Sequence, residues 1–227
     1  MTSYQTRLSM RHALLSALLG VLMLAACAIA PLPLRIEQRN DIRDLPQPGS
    51  GQATHTLTLS VADIGGWSDT EIIAAVHQAA RLLAQCGIRI TRAELLRVKV
   101  AESHRYFSTP RSRELAQALP LDKPALYFTA GTRQVPAFDA EAIGRGNSRS
   151  RPELADSVWI ARGARDLGIV VAHELAHVLM DSGAHDNTPG NLMAESTSQD
   201  NTRLNAAQCA RMRDTGTRNG LLRPGVN

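Results

Sequence analysis

Hydrophobic and polar positions divide the chain into segments of different period. From Thr54 to Val61 they alternate, with His55, Leu57, Leu59 and Val61 on one side and Thr54, Thr56, Thr58 and Ser60 on the other. A period of two predicts a half-buried strand. Ser68-Asp69-Thr70-Glu71 has the form of a capping box, and Ile72, Ile73, Val76, Ala79, Ala80, Leu82 and Leu83 follow at helical spacing. The helix should run to Gln85 and stop at Gly87. A second strand is expected within 94–101, a short helix over 112–119, and strands over 125–129 and 157–161. The loop-rich stretch between the last two holds a candidate edge strand at 137–143. Asn205-Ala206-Ala207-Gln208 is another capping box and predicts a closing helix through Arg213. This order of elements reads as an α+β layered domain over 55–227.

One segment departs from both periods. From Leu167 to Met180 the chain is apolar on every side except at His173, Glu174 and His177. A helix that is hydrophobic all round is buried. Two histidines and a glutamate buried together need a partner, because a lone buried charge is costly. The three polar residues form the pattern H-E-x-x-H. On a helix, positions i and i+4 share a face about 6 Å apart, so His173 and His177 can hold one metal ion while Glu174 reaches a water beside it. A catalytic metal needs a third protein ligand. Asp181 continues the stripe but lies about 12 Å along the axis from residue 173, too far to share the ion. His185 is the better candidate: Gly183 can end the helix in a left-handed turn and fold the chain back.

The stretch His173, Glu174, His177, His185 and Asn191-Leu192-Met193 resembles the metzincin superfamily of zinc peptidases. Their pattern is H-E-x-x-H-x-x-G-x-x-H followed by a Met-turn. Two positions depart from it. Leu179 stands where the family has Gly, and His185 comes twelve places after the first His rather than ten. The resemblance implies a twisted mixed β-sheet packed with a long helix from the N-terminal half and an active-site helix. It also implies a small C-terminal subdomain with one helix. It makes His173, His177 and His185 ligands of Zn²⁺, Glu174 the general base and Met193 the Met-turn residue. The strand at 137–143 would align a peptide or protein substrate by strand addition. Glu195 is the alternative third ligand and would imply a gluzincin-like site. Trp159, Tyr127 and Arg145 read first as structural, with a place in the cleft as the alternative, and His77 and His104 read as structural.

The N-terminus changes where this domain is expected to work. Arg7, Arg11 and His12 precede an apolar run from Ala13 to Leu24, and Leu24-Ala25-Ala26-Cys27 follows. The shape is that of a secretory signal. Its ending resembles the bacterial lipobox, which implies cleavage before Cys27 and lipidation of its thiol. Ala28, not Asp, follows, and by that resemblance the protein is an outer-membrane lipoprotein facing the periplasm. An ordinary cleaved signal or an uncleaved anchor helix are the alternatives. Residues 28–54, with Pro31, Pro33, Pro46, Pro48, Gly49 and Gly51, read as a flexible tether. Cys86 and Cys209 then remain, and two cysteines in an exported chain suggest one disulfide, unpaired buried thiols being the alternative.

Composition narrows the function. The formal net charge is +4, and loss of Arg7 and Arg11 with the leader leaves too little to argue for nucleic acid. The reading is a monomeric, lipid-anchored zinc endopeptidase. The alternatives are a non-catalytic binding lipoprotein on the same fold, against which Glu174 argues, and a metal hydrolase of a non-peptide amide.

Overall fold

The computed structural model describes residues 32–47 and 53–225. Cys27 and the rest of the leader lie outside the described residues. No helix among the described residues is long and apolar enough to cross a membrane.

The first strand, β1 (Arg35–Asp41), lies within the stretch expected to be a flexible tether. It pairs antiparallel with a later strand, and its residues are mostly exposed. Backbone hydrogen bonds and the ion pairs Arg39–Glu94 and Arg92–Asp41 hold it, and Ile36, in line with the half-buried Leu32 and Leu34 before it, packs on the core. The alternation Leu32, Leu34, Ile36 ends near its start, and from Glu37 to Asp41 no apolar position continues the period. Then come β2 (His55–Asp63), α1 (Asp69–Ala84) and β3 (Ile88–Lys99), a βαβ unit with β2 and β3 parallel. The Ser68–Glu71 capping box forms at the start of α1. β3 starts well before 94, directly after Gly87. Its register against β2 slips between Ile90 and Arg92. Such a bulge shifts the buried positions by one, from Ile88 and Ile90 to Ala93 and Leu95, and so breaks the alternation that would have announced the strand.

The chain continues through β4 (Tyr106–Phe107), α2 (Thr109–Ala118), β5 (Ala125–Phe128), β6 (Gly131–Thr132), β7 (Ala140–Ile143) and β8 (Ser157–Ile160). It closes with α3 (Leu167–Met180), α4 (Ala206–Arg218) and β9 (Arg223–Pro224). The main sheet runs β1-β3-β2-β5-β8-β7, with β9 on the start of β2. β3, β2, β5 and β8 are parallel; β1 and β7 are antiparallel edges. β5 and β8 are buried along their whole length. Alternate residues serve two cores: Leu126, Phe128, Val158 and Ile160 pack with α1, α3 and α4, while Tyr127 and Trp159 pack with Phe107 and Leu115.

The C-terminal helix does not form a subdomain of its own. Met212 on α4 and Leu221 and Leu222 after it join the core of α1 and α3. At Gly216 any Cβ would stand 2.8 Å from Leu222 and 3.3 Å from Leu179, so glycine permits this close approach. Cys209 on α4 is disulfide-bonded to Cys86 just beyond α1, with Cα atoms 4.9 Å apart and 123 residues between them in sequence. Closing so long a loop contributes about 2–5 kcal/mol through the unfolded state. Replacing both cysteines by serine should lower the melting temperature by on the order of 10 °C. A thermal melt matching that of the oxidised wild type would show that the crosslink is dispensable.

Candidate metal centre

α3 is buried from Gly168 to Met180 apart from Glu174, which is partly exposed. It packs directly on α1, and Gly168 makes that possible: a Cβ there would meet the Gln78 side chain at 2.4–2.8 Å. The helix therefore carries His173 and His177 below the protein surface, at 3% and 8% exposure. Their Nε2 atoms lie 2.9 Å apart.

Hydrogen bonding decides what these nitrogens are. His173 Nδ1 lies 2.7 Å from the carbonyl oxygen of Leu192, and His177 Nδ1 lies 2.6 Å from that of Ser182. A carbonyl only accepts, so each Nδ1 carries the proton. Burial lowers the pKa of His173, and burial together with the neighbouring His173 lowers that of His177 to about 4. Both rings are then neutral at neutral pH, and both Nε2 atoms bear lone pairs. Two lone pairs at 2.9 Å cannot satisfy one another. Their environment calls for a cation between them, and the carbonyl-bound Nδ1 is the usual way a ligating imidazole is oriented.

His185 completes the group. Its Nε2 is 3.3 Å from that of His177, and the ligand atoms of all three histidines fall within 4.8 Å of one another. The two-residue delay in sequence is absorbed by the turn, but Gly183 does not make it. Asp181 takes the left-handed conformation, with φ 45° and ψ 53°, and Gly183 stays outside that region. Asp tolerates this conformation better than most residues. Its carboxylate accepts the Gly146 N–H at 3.0 Å, which holds the turn in place. Turning at Asp181 brings the Ser182 carbonyl under His177. Glu195 lines the same cleft but stands outside the three-histidine group. Met193 is buried, and its N–H is held by Asn191 Oδ1 at 2.8 Å, directly after the Leu192 carbonyl that holds His173.

The group opens into a cleft of about 910 Å³ bounded by residues 137–142, α3 and residues 195–197. The expected edge strand is present as β7, shorter than the sequence suggested. Ala161 N–H bonds to the Asp139 carbonyl, so residues 139, 141 and 143 turn their backbone toward β8. Ala140 and Ala142 turn theirs toward the cleft. The backbone of Ala142 faces the Glu174 carboxylate and lowers its pKa. Burial, with a smaller push from Glu141, nevertheless raises the Glu174 pKa to about 8. A cation held by the histidines opposes that shift and favours the carboxylate.

Tyr127, Trp159 and Arg145 have the structural role expected first for them. Tyr127 and Trp159 stack on each other, 4.1 Å between ring centres, in the core on the far face of the sheet. Arg145 bonds to Asp156 and the Asn219 carbonyl. His77 meets the Arg43 carbonyl and His104 meets Glu114, both away from the cleft. The sequence reading missed the carbonyls of Leu192 and Ser182 and the amide of Ala142. Backbone groups have no residue type to announce them.

No protein-family model matches the chain, and no curated protein matches it in sequence. Among solved structures its fold is similar to that of metalloproteinase-II from Bacteroides fragilis, with a TM-score of 0.50 and 16% sequence identity. The match covers 75% of this chain and 56% of that one, so this chain spans little more than half the length of that protein. At this identity the likeness is one of fold: a mixed sheet with packed helices, here carrying a three-histidine group able to hold a metal.

Proposed function

We propose that this protein is a zinc-dependent endopeptidase. The observation that carries the reading is the convergence of three imidazole Nε2 atoms beside the partly exposed Glu174 on the wall of an open cleft. Nitrogen ligands at 2.0–2.1 Å around a tetrahedral zinc stand about 3.3 Å apart. The spacings of 2.9 and 3.3 Å are close to this. An all-histidine set suits zinc and leaves one position for substrate.

His173, His177 and His185 would hold the ion, which when bound acidifies water and polarises a carbonyl. Glu174 takes the proton of the attacking water and passes one to the leaving amine. Its carboxylate shares the cleft with Ala140 and Ala142, at the strand edge where substrate is expected. A peptide lying along β7 finds the N–H and C=O of Ala140 turned toward it, the arrangement used in strand addition. Met193 forms the floor of the site as a Met-turn. The leader extends the proposal: a monomer tethered through a lipid on Cys27 to the outer membrane, acting on periplasmic peptides or proteins. Palmitate labelling that persists in Cys27→Ser would remove the tether from this reading.

Glu174→Gln should retain the metal and lower kcat/KM on a peptide library by about 100-fold or more. Purified protein without zinc, or a variant that cleaves like wild type, would sink the peptidase reading. The ligand set has its own test. His185→Ala should weaken zinc binding by at least about tenfold, while Glu195→Ala leaves it unchanged. The reverse pattern in a metal titration would reassign the third ligand to Glu195.

A further inference from the structure

Two side-chain amides lie behind the three histidines and are not used by the proposed chemistry. Asn191 is 6% exposed, and Gln208 is the third residue of α4. Their carboxamides meet head to tail. Asn191 Nδ2 donates to Gln208 Oε1 at 3.2 Å, and Gln208 Nε2 donates back to Asn191 Oδ1 at 3.1 Å. Asn191 Nδ2 also donates to Asp186 Oδ2 at 3.1 Å, and its Oδ1 also accepts the Met193 N–H. Gln208 Nε2 also donates to Asp186 Oδ2 at 3.3 Å, and its Oε1 accepts the Asn205 N–H at 2.8 Å. An amide has two hydrogens to give and two lone pairs to offer. Both amides are therefore saturated, and neither can be flipped without setting donor against donor.

The partners of this pair show what it holds. Asp186 directly follows His185. Asn191 directly precedes Leu192, whose carbonyl orients His173. Gln208 directly precedes Cys209, tied to the end of α1. A helix end secured by the disulfide thus holds the Asp186 carboxylate at one side of the loop 185–193 and the Met193 N–H at the other, and the Asp186 N–H bonds the Met193 carbonyl across it; the loop supplies one histidine and orients another. We propose that Asn191 and Gln208 are positioning residues that set metal affinity, acting through the Leu192 carbonyl and the His185–Asp186 backbone. The proposal rests on the metal-centre reading above. Size alone does not meet the requirement: an acid at either position turns a carboxylate toward that of Asp186.

The test compares Gln208→Glu, nearly isosteric, and Gln208→Met, neutral, with wild type. Zinc affinity is measured by chelator competition, the cobalt(II) form by its visible spectrum, and the metal-free proteins by thermal melts. Both variants should bind zinc about tenfold or more weakly, the glutamate more so, with an altered cobalt spectrum. Affinity within about twofold of wild type, with an unchanged spectrum, overturns the proposal even if the melting temperature falls, since the pair would then serve stability alone. Should neither variant fold, Asp186→Asn carries the same comparison. Wild-type protein that takes up neither metal sinks the metal-centre reading and this proposal with it. Normal wild-type binding with unaffected variants sinks this proposal alone.

Discussion

The site depends on keeping two buried imidazoles in one tautomer and one orientation. Each Nδ1 of His173 and His177 meets a backbone carbonyl. This leaves two Nε2 lone pairs facing one another within 3 Å, an arrangement that is unfavourable without a cation. The fold supplies that tension by burying the helix that carries both rings. It supplies the orientation from outside the helix, through loops before and after His185. Burial and orientation are separate requirements, met by different parts of the chain.

Burial begins with α3 itself, apolar on every side, wedged among α1, α4 and the sheet. The contact with α1 is close enough that Gly168 has no room for a side chain. The parallel strands β2, β5 and β8 form a floor buried on both faces, so the helix above has a rigid bed. Orientation comes from the tail. α4 is clamped to α1 by the disulfide, and its first turn reaches the loop beneath His173 through Gln208 and Asn191. The last helix is thereby part of the site's scaffold as much as of the core.

The cleft is assembled in a similar way from distant segments. β7 is the sheet edge, and its antiparallel pairing with β8 turns the backbone of alternate residues outward. One of those outward-facing residues, Ala142, lines the cleft with Glu174 on α3. The candidate base thus lies beside the candidate substrate track.

Sequence alone determined what is written in residue type and local period. Strict alternation announced β2, two capping boxes announced the starts of α1 and α4, and an all-apolar helix interrupted by His173, Glu174 and His177 announced the site. His185 was legible as a candidate because a catalytic metal would need a third ligand and Asp181 on the helix was out of reach. Only the tertiary structure decided the rest. β1 is apolar only at Ile36 and polar from Glu37 to Asp41, so its period is cut short, and the bulge in β3 breaks the period that strand would have shown. The turn before His185 was assigned to Gly183 on conformational grounds, whereas Asp181 makes it, because its carboxylate finds the amide of Gly146, 35 residues earlier. Leu192, Ser182 and Ala142 act through backbone atoms, which every residue possesses. Such groups become functional only where the fold places them, and no reading of side chains can find them in advance.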